Sequence, residues 1–201
     1  MATVSERQEL LIPRNTVPVK ASVIGCGGVG TWVALFLVLA GVKTLYLYDP
    51  DNVDITTLGR TPYLPSDVGT PKVIALKALL RRVRSDVVVH AYVTDNPTGA
   101  HGHLTFDCTD SDDAQEMIRN ALGGPSLIRA GCDGWHLSVF RNPLQPFDAG
   151  PPDQPREGYF TPSWVGTSAM SAALAVSMMF KTQLDSVTGD VDALTFARRE
   201  V

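Results

Sequence analysis

Val19-Lys20-Ala21-Ser22-Val23-Ile24 runs into Gly25-Cys26-Gly27-Gly28-Val29-Gly30 and then into the apolar stretch Thr31 to Ala40. The first segment is rich in β-branched residues and ends on glycine, so it reads as a buried strand. The stretch from Thr31 reads as a mostly buried helix with Gly41 as its C-terminal stop. Between them the glycines satisfy G-x-G-x-x-G in the strand–turn–helix setting the pattern requires. Without a Cβ at Gly25, Gly27, Gly28 and Gly30, a phosphate or ribose can approach main-chain N–H groups at a helix N-terminus.

Outward from this turn, Thr44 to Tyr48 reads as a second strand. It ends at Asp49, about twenty residues past the last glycine, where a carboxylate meets ribose hydroxyls. A long loop follows. Pro71 then opens a helix reaching about Arg84, with Ile74, Ala75, Ala78, Leu79 and Val83 at helical spacing. Further strands are expected at Val87–Val93, Leu104–Asp107, Ser126–Ala130 and Leu137–Phe140, with helices at Ser111–Leu122 and Thr167–Phe180. This alternation predicts an α/β protein: a Rossmann-like, doubly wound, mostly parallel sheet with helices on both faces. The close strand spacing after 126 predicts an antiparallel extension. The expected organisation is a leader over 1–19, one nucleotide-binding domain over 20–183 with a proline-rich crossing loop at 142–163, and a loose polar tail over 184–201.

The chain has 201 residues, 44% apolar and 19% charged, which excludes a mainly disordered or coiled-coil protein. Its 17 basic and 21 acidic side chains give a net charge of −4 without blocks of one sign. A duplex nucleic-acid partner is therefore not expected, and an anionic ligand must be held by local cations. The polar N-terminus lacks a signal-peptide core, and the longest apolar run, Trp32 to Ala40, is half a membrane span. Cys26, Cys108 and Cys132 are scattered and form no C-x-x-C, so neither a disulfide framework nor a zinc ribbon is expected. A cytoplasmic protein without a membrane partner is the expectation.

The glycine turn and Asp49 alone leave NAD(P) and ATP open. Arg60 in the long loop, Lys72 at a helix start and Asp110 past the fourth strand would all lie at the carboxyl-end crevice of a doubly wound sheet. Two extra cations suit a triphosphate, and an extra carboxylate suits Mg²⁺. Taken singly, Arg60 and Lys72 also fit solvated surface cations, and Asp110 fits a helix N-cap. An NAD-dependent oxidoreductase leaves all three unexplained. A P-loop enzyme is disfavoured, because no G-x-x-x-x-G-K-[ST] occurs. His101 and His103 read as a solvated loop, while Trp164, Tyr159 and His136 are candidates for touching a peptide tail.

The order of motifs resembles the ThiF/MoeB/ubiquitin-activating (E1-like) adenylyltransferase family. Glu6-Arg7-Gln8-Glu9 is similar to its N-terminal Arg-Gln segment, and Asp49-Pro50-Asp51-Asn52-Val53-Asp54 to its D-x-D-x-V-E run. Leu58-Gly59-Arg60 resembles the end of S-N-L-N-R-Q, Asp67 to Lys72 resembles D-V-G-K-P-K, and Asp107 to Asp110 resembles D-C-T-D-N. Gly134 to Phe140 and the helix from Val165 to Lys181 complete a likeness spanning about 5 to 181.

The resemblance implies ATP- and Mg²⁺-dependent adenylation of the C-terminal carboxylate of a ubiquitin-like or sulfur-carrier protein, or a peptide, usually ending Gly-Gly. It assigns Asp49 to the ribose, with Asp51 beside it, Arg60 and Lys72 to the phosphates, and Asp110 to Mg²⁺. Arg7 would enter the neighbouring subunit's site in a homodimer. Four departures bear on activity. Thr57 and Gly59 replace two asparagines, Ser111 replaces another, zinc-binding cysteine pairs are missing, and 141–166 holds no cysteine for a thioester step. The expected reaction therefore stops at the acyl-adenylate, and a non-catalytic nucleotide-binding or docking member of the fold is the alternative.

Overall fold

A computed structural model describes residues 6–97, 104–142, 163–181, 184–191 and 194–200. Eight strands form one sheet in the order β3-β2-β1-β4-β5-β6-β7-β8. Strands β1 (Lys20–Ile24), β2 (Thr44–Tyr48), β3 (Val88–Tyr92), β4 (Leu104–Asp107) and β5 (Leu127–Asp133) pair in parallel. Strands β6 (His136–Arg141), β7 (Leu184–Asp190) and β8 (Thr195–Glu200) continue the sheet antiparallel. The doubly wound sheet with an antiparallel extension is the architecture the alternation of elements implies.

The segment 184–201 departs from that expectation. Expected as a loose polar tail, its residues Leu184–Asp190 and Thr195–Glu200 build β7 and β8. The reason lies in the pairing: β7 lies against β6 from Phe140↔Ser186 to His136↔Asp190, and Val187 is buried there. Backbone hydrogen bonding to an existing strand overrides a weak apolar signal.

Five helices complete the described fold: α1 (Glu6–Glu9), α2 (Gly30–Ala40), α3 (Lys72–Val83), α4 (Asp112–Leu122) and α5 (Val165–Met178). Ala21, Val23, Leu45 and Leu47 share the main core with Val33 and Leu37 of α2, Leu76 and Leu80 of α3, and Ala172 and Ala175 of α5. Ile24 and Tyr48 turn the other way and meet Ile118 of α4 and Leu127 of β5 in a second cluster. Strand alternation thus sends side chains to cores on both faces. Helix α2 is apolar almost all round because it is sandwiched between the sheet and α5. It ends at Gly41, whose φ of 110° lets its N–H reach the carbonyls of Leu37 and Val38. Among the described residues, no helix is long and apolar enough to cross a membrane.

Candidate nucleotide site

Strand order reverses between β1 and β4, so a crevice opens at the carboxyl ends of these neighbours. The glycine turn enters it from β1 and the Asp107–Ser111 turn from β4. The two turns pack on each other. Cys108 N–H donates to the Ile24 carbonyl at 2.8 Å, and a Cβ on Gly25 (φ 83°) would lie 2.7 Å from the Cys108 carbonyl oxygen. At Gly30 a Cβ would lie 1.8 Å from the Gly25 carbonyl oxygen, so the turn closes only with glycine. At Gly27, by contrast, a Cβ would meet nothing within 4 Å; that position faces open space.

Asp49 is 4% exposed at the end of β2. Its Oδ2 accepts the Cys26 N–H at 2.7 Å and its Oδ1 the Asp51 N–H at 2.8 Å, which locks the acid to the glycine turn. Burial raises its pKa despite the opposing Lys72 charge and both N–H donors. Lys72 Nζ lies 2.7 Å from Asp51 Oδ2 and 3.6 Å from Asp49 Oδ1. Burial pushes the Lys72 pKa down, but the Asp51 hydrogen bond and the Asp49 charge outweigh it and leave the pKa raised. The ammonium is therefore charged at neutral pH and held in place.

Arg60 crosses the turn. A Cβ on Gly28 would sit 3.2 Å from Arg60 Cδ and Nε, and 3.3 Å from Ser168 Oγ of α5. The loop behind Arg60 is held twice. Trp32 Nε1 donates to the Arg60 carbonyl at 2.9 Å, and Arg60 Nη1 donates to the Thr56 carbonyl at 3.1 Å. Tyr63 Oη lies 2.9 Å from the Cys26 carbonyl and 3.2 Å from that of Lys72, which ties loop, turn and α3 together. Burial drives the Tyr63 pKa far up, so the phenol keeps its proton.

Asp110 is exposed on the β4 side of the crevice. It is not the helix cap: Ser111 Oγ takes that place, accepting the Ala114 N–H at 3.4 Å. Among the described residues, Arg7 lies on α1, whose neighbouring Gln8 is held away from the crevice. Gln8 Nε2 donates to the Ala40 carbonyl at 2.7 Å, tethering α1 to the far end of α2, about 15 Å along that helix from the turn. Burial raises the thiol pKa of both Cys26 and Cys108, so neither is a ready nucleophile. Tyr159, His101 and His103 lie outside the described residues. Trp164 pairs with Trp135 at a centroid distance of 5.2 Å.

Two contributors carry no motif in the sequence. Tyr63 has no motif of its own. Arg129, 1% exposed on β5, pairs with Asp107, 0% exposed. Its only signal is a charge within the apolar run Leu127-Ile128-Arg129-Ala130.

The chain is 35% identical over 121 residues to a ubiquitin-like modifier-activating enzyme 5 of Arabidopsis thaliana, covering 60% of this chain and 28% of that one. It is 32% identical over 118 residues to the adenylyltransferase and sulfurtransferase UBA4 of Candida albicans, covering 54% and 27%. The chain thus spans under a third of the length of these relatives. Among solved structures, E. coli MccB with ATP superimposes with a TM-score of 0.75 at 16% identity, covering 100% of this chain and 71% of that one. The family model that matches, over residues 16–143, is the ThiF family, and the chain belongs to it.

Proposed function

We propose that this protein adenylates a C-terminal carboxylate with ATP, forming an acyl-adenylate and releasing pyrophosphate, with a ubiquitin-like or sulfur-carrier protein or a peptide as the donor of the carboxylate. The observation that carries the reading is the pair of fixed cations, Lys72 and Arg60, set against a glycine turn whose Gly27 side is open. A carboxylate oxygen attacks the α-phosphorus, and the bond from that phosphorus to the pyrophosphate oxygen breaks. The carboxylate is already ionised at neutral pH, so the step needs no general base; alignment and charge neutralisation do the work. In this reading Gly25, Gly27, Gly28 and Gly30 present backbone to phosphate, Asp49 takes the ribose, and Asp51 orients Lys72.

Magnesium is assigned to Asp110. Mg²⁺ is held through one or two carboxylates plus phosphates and water rather than a protein cage, and exposed Asp110 is such a carboxylate. Bound there, the ion would neutralise phosphate charge. Arg7 is assigned to the neighbouring subunit's site in a homodimer, which its tether away from its own crevice supports. A Cβ at Gly59 would meet nothing within 4 Å, so the backbone there has room for a side chain such as asparagine. ATP–pyrophosphate exchange in the presence of candidate carrier proteins or peptides is the test. Exchange that needs both the carrier and Mg²⁺ supports the reading. Nucleotide binding without exchange for any carrier would make the chain a non-catalytic docking member of its family.

A further inference from the structure

Arg129 stands on β5 between Ile128 and Ala130, both core residues, and is itself 1% exposed. A buried ion pair is a poor source of net stability compared with apolar packing, so its use lies in what it holds in place. Arg129 Nε and Nη2 both reach Asp107 Oδ2, at 2.9 and 2.8 Å. The other oxygen, Oδ1, accepts the Thr109 N–H at 3.1 Å and the Thr109 hydroxyl at 2.7 Å. Arg129 Nη2 also donates to the Gln115 carbonyl at 3.1 Å, and Gln115 Nε2 donates back to the Thr109 carbonyl at 3.0 Å. These bonds close a ring through Asp107, Thr109, Gln115 and Arg129. The ring grips the β4–α4 turn from inside.

Asp110 is the next residue along that turn. Thr109 before it is held on both its N–H and its carbonyl side, and Ser111 after it caps α4. The same turn rests on the glycine loop through Cys108 and Ile24. Any shift of the ring therefore moves Asp110 relative to the phosphate-facing glycines. We propose that Arg129 is a positioning residue: through Asp107, Thr109 and Gln115 it fixes Asp110 where a nucleotide-bound divalent cation needs a carboxylate. The proposal rests on the adenylation reading. It also requires arginine specifically, because its planar fork spans Asp107 and Gln115 at once, which a lysine ammonium cannot.

The test combines amide hydrogen exchange across 107–111 in the nucleotide-free protein with Mg²⁺ titration of the melting shift produced by ATP. It compares wild type, Arg129→Lys, Gln115→Ala and Asp110→Ala. Arg129→Lys and Gln115→Ala are expected to speed exchange at the Thr109 amide at least about tenfold. Both should raise the Mg²⁺ midpoint at least about fivefold, towards that of Asp110→Ala, while the shift given by ATP without Mg²⁺ stays at the wild-type value. Adding Arg129→Lys to Asp110→Ala should not move the midpoint further, since both act through one carboxylate. A lower melting temperature with a wild-type Mg²⁺ midpoint makes Arg129 merely structural and overturns the proposal. Should Arg129→Lys not fold, Gln115→Ala decides alone, because it cuts one link and strands no charge. A wild-type protein with no Mg²⁺-dependent shift sinks the adenylation reading and the proposal together, an outcome distinct from normal wild type with unaltered variants.

Discussion

Gly27→Ala and Gly30→Ala differ by one methyl at two positions of one turn, and the structure assigns them opposite effects. At Gly30 the new Cβ falls 1.8 Å from the Gly25 carbonyl oxygen, a backbone atom already packed against the Cys108 turn. Overpacking against backbone should cost about 3 kcal/mol or more. In a chain this size 1 kcal/mol moves Tm by roughly 2–4 °C, so a fall of about 6–12 °C is expected. At Gly27 the new methyl meets nothing within 4 Å, and its backbone is not in the left-handed region. Restricting the unfolded chain there should stabilise by up to about 1 kcal/mol, leaving Tm unchanged or slightly raised. ATP reverses the ranking of interest. Ligand at about 100 times its Kd adds about 2.7 kcal/mol, a rise of roughly 5–11 °C for the wild type. If the Gly27 methyl occupies the space that phosphate needs and weakens binding about a hundredfold, the gain shrinks to about 0.4 kcal/mol, or roughly 1–2 °C. Differential scanning fluorimetry with and without Mg·ATP reads all four numbers. A Gly27→Ala protein that keeps the full ATP shift would refute the placing of phosphate on this turn.

Further outcomes follow from the same geometry. Lys72→Met leaves Asp49 buried without its cation, so stability should fall by about 1–3 kcal/mol and pyrophosphate exchange should be lost. Because the folded Lys72 pKa is raised, the stabilisation is complete below the ordinary lysine value of 10.5 and disappears as pH climbs through the higher folded value. The wild-type advantage in Tm should hold from pH 7 to 9 and close only at higher pH; an advantage that fades by pH 8 contradicts it. A triple Cys26→Ala, Cys108→Ala, Cys132→Ala protein should retain exchange at a somewhat lower Tm, since burial keeps Cys26 and Cys108 protonated. A wild-type thioester abolished by one cysteine replacement would defeat that expectation. Arg7→Ala and Asp110→Ala should each be inactive yet folded, and mixing them should restore activity up to about a quarter of wild type, because half the dimers then carry one intact site. A dead mixture with confirmed subunit exchange removes Arg7 from the neighbouring site.

What the sequence disclosed and what it withheld divide along a physical line. The β1 turn and the acid Asp49 at a strand end follow from local rules of periodicity and glycine at a turn, whereas Arg60 and Lys72 gain weight only as a set and from the order of motifs. The parallel pairing among β1 to β5 follows too, since strands alternating with helices predict a doubly wound, mostly parallel sheet. Strands β7 and β8 were not legible, because Leu-Asp-Ser-Val-Thr-Gly-Asp becomes a strand only when β6 is there to pair with it. Arg129 belongs to the same class. Its position in an apolar strand is visible in the sequence, but its partner Asp107 lies 22 residues away and its purpose depends on the turn between them.

That contrast bears on how the site works. Local rules bring the glycine turn, Asp49 and Lys72 into view, since each stands at the end of a strand or the start of a helix, although bonds between neighbouring β-α units then tie Asp49 and Arg60 to the turn. The carboxylate proposed for the metal stands at the junction of two such units, and its place depends on bonds that cross from β4 to β5 and α4. Substitution within the glycine turn should therefore act on nucleotide binding directly. Substitution in the buried ring should leave the nucleotide in place and change what the cation does. Two halves of one crevice, set by different ranges of contact along the chain, are separable by experiment.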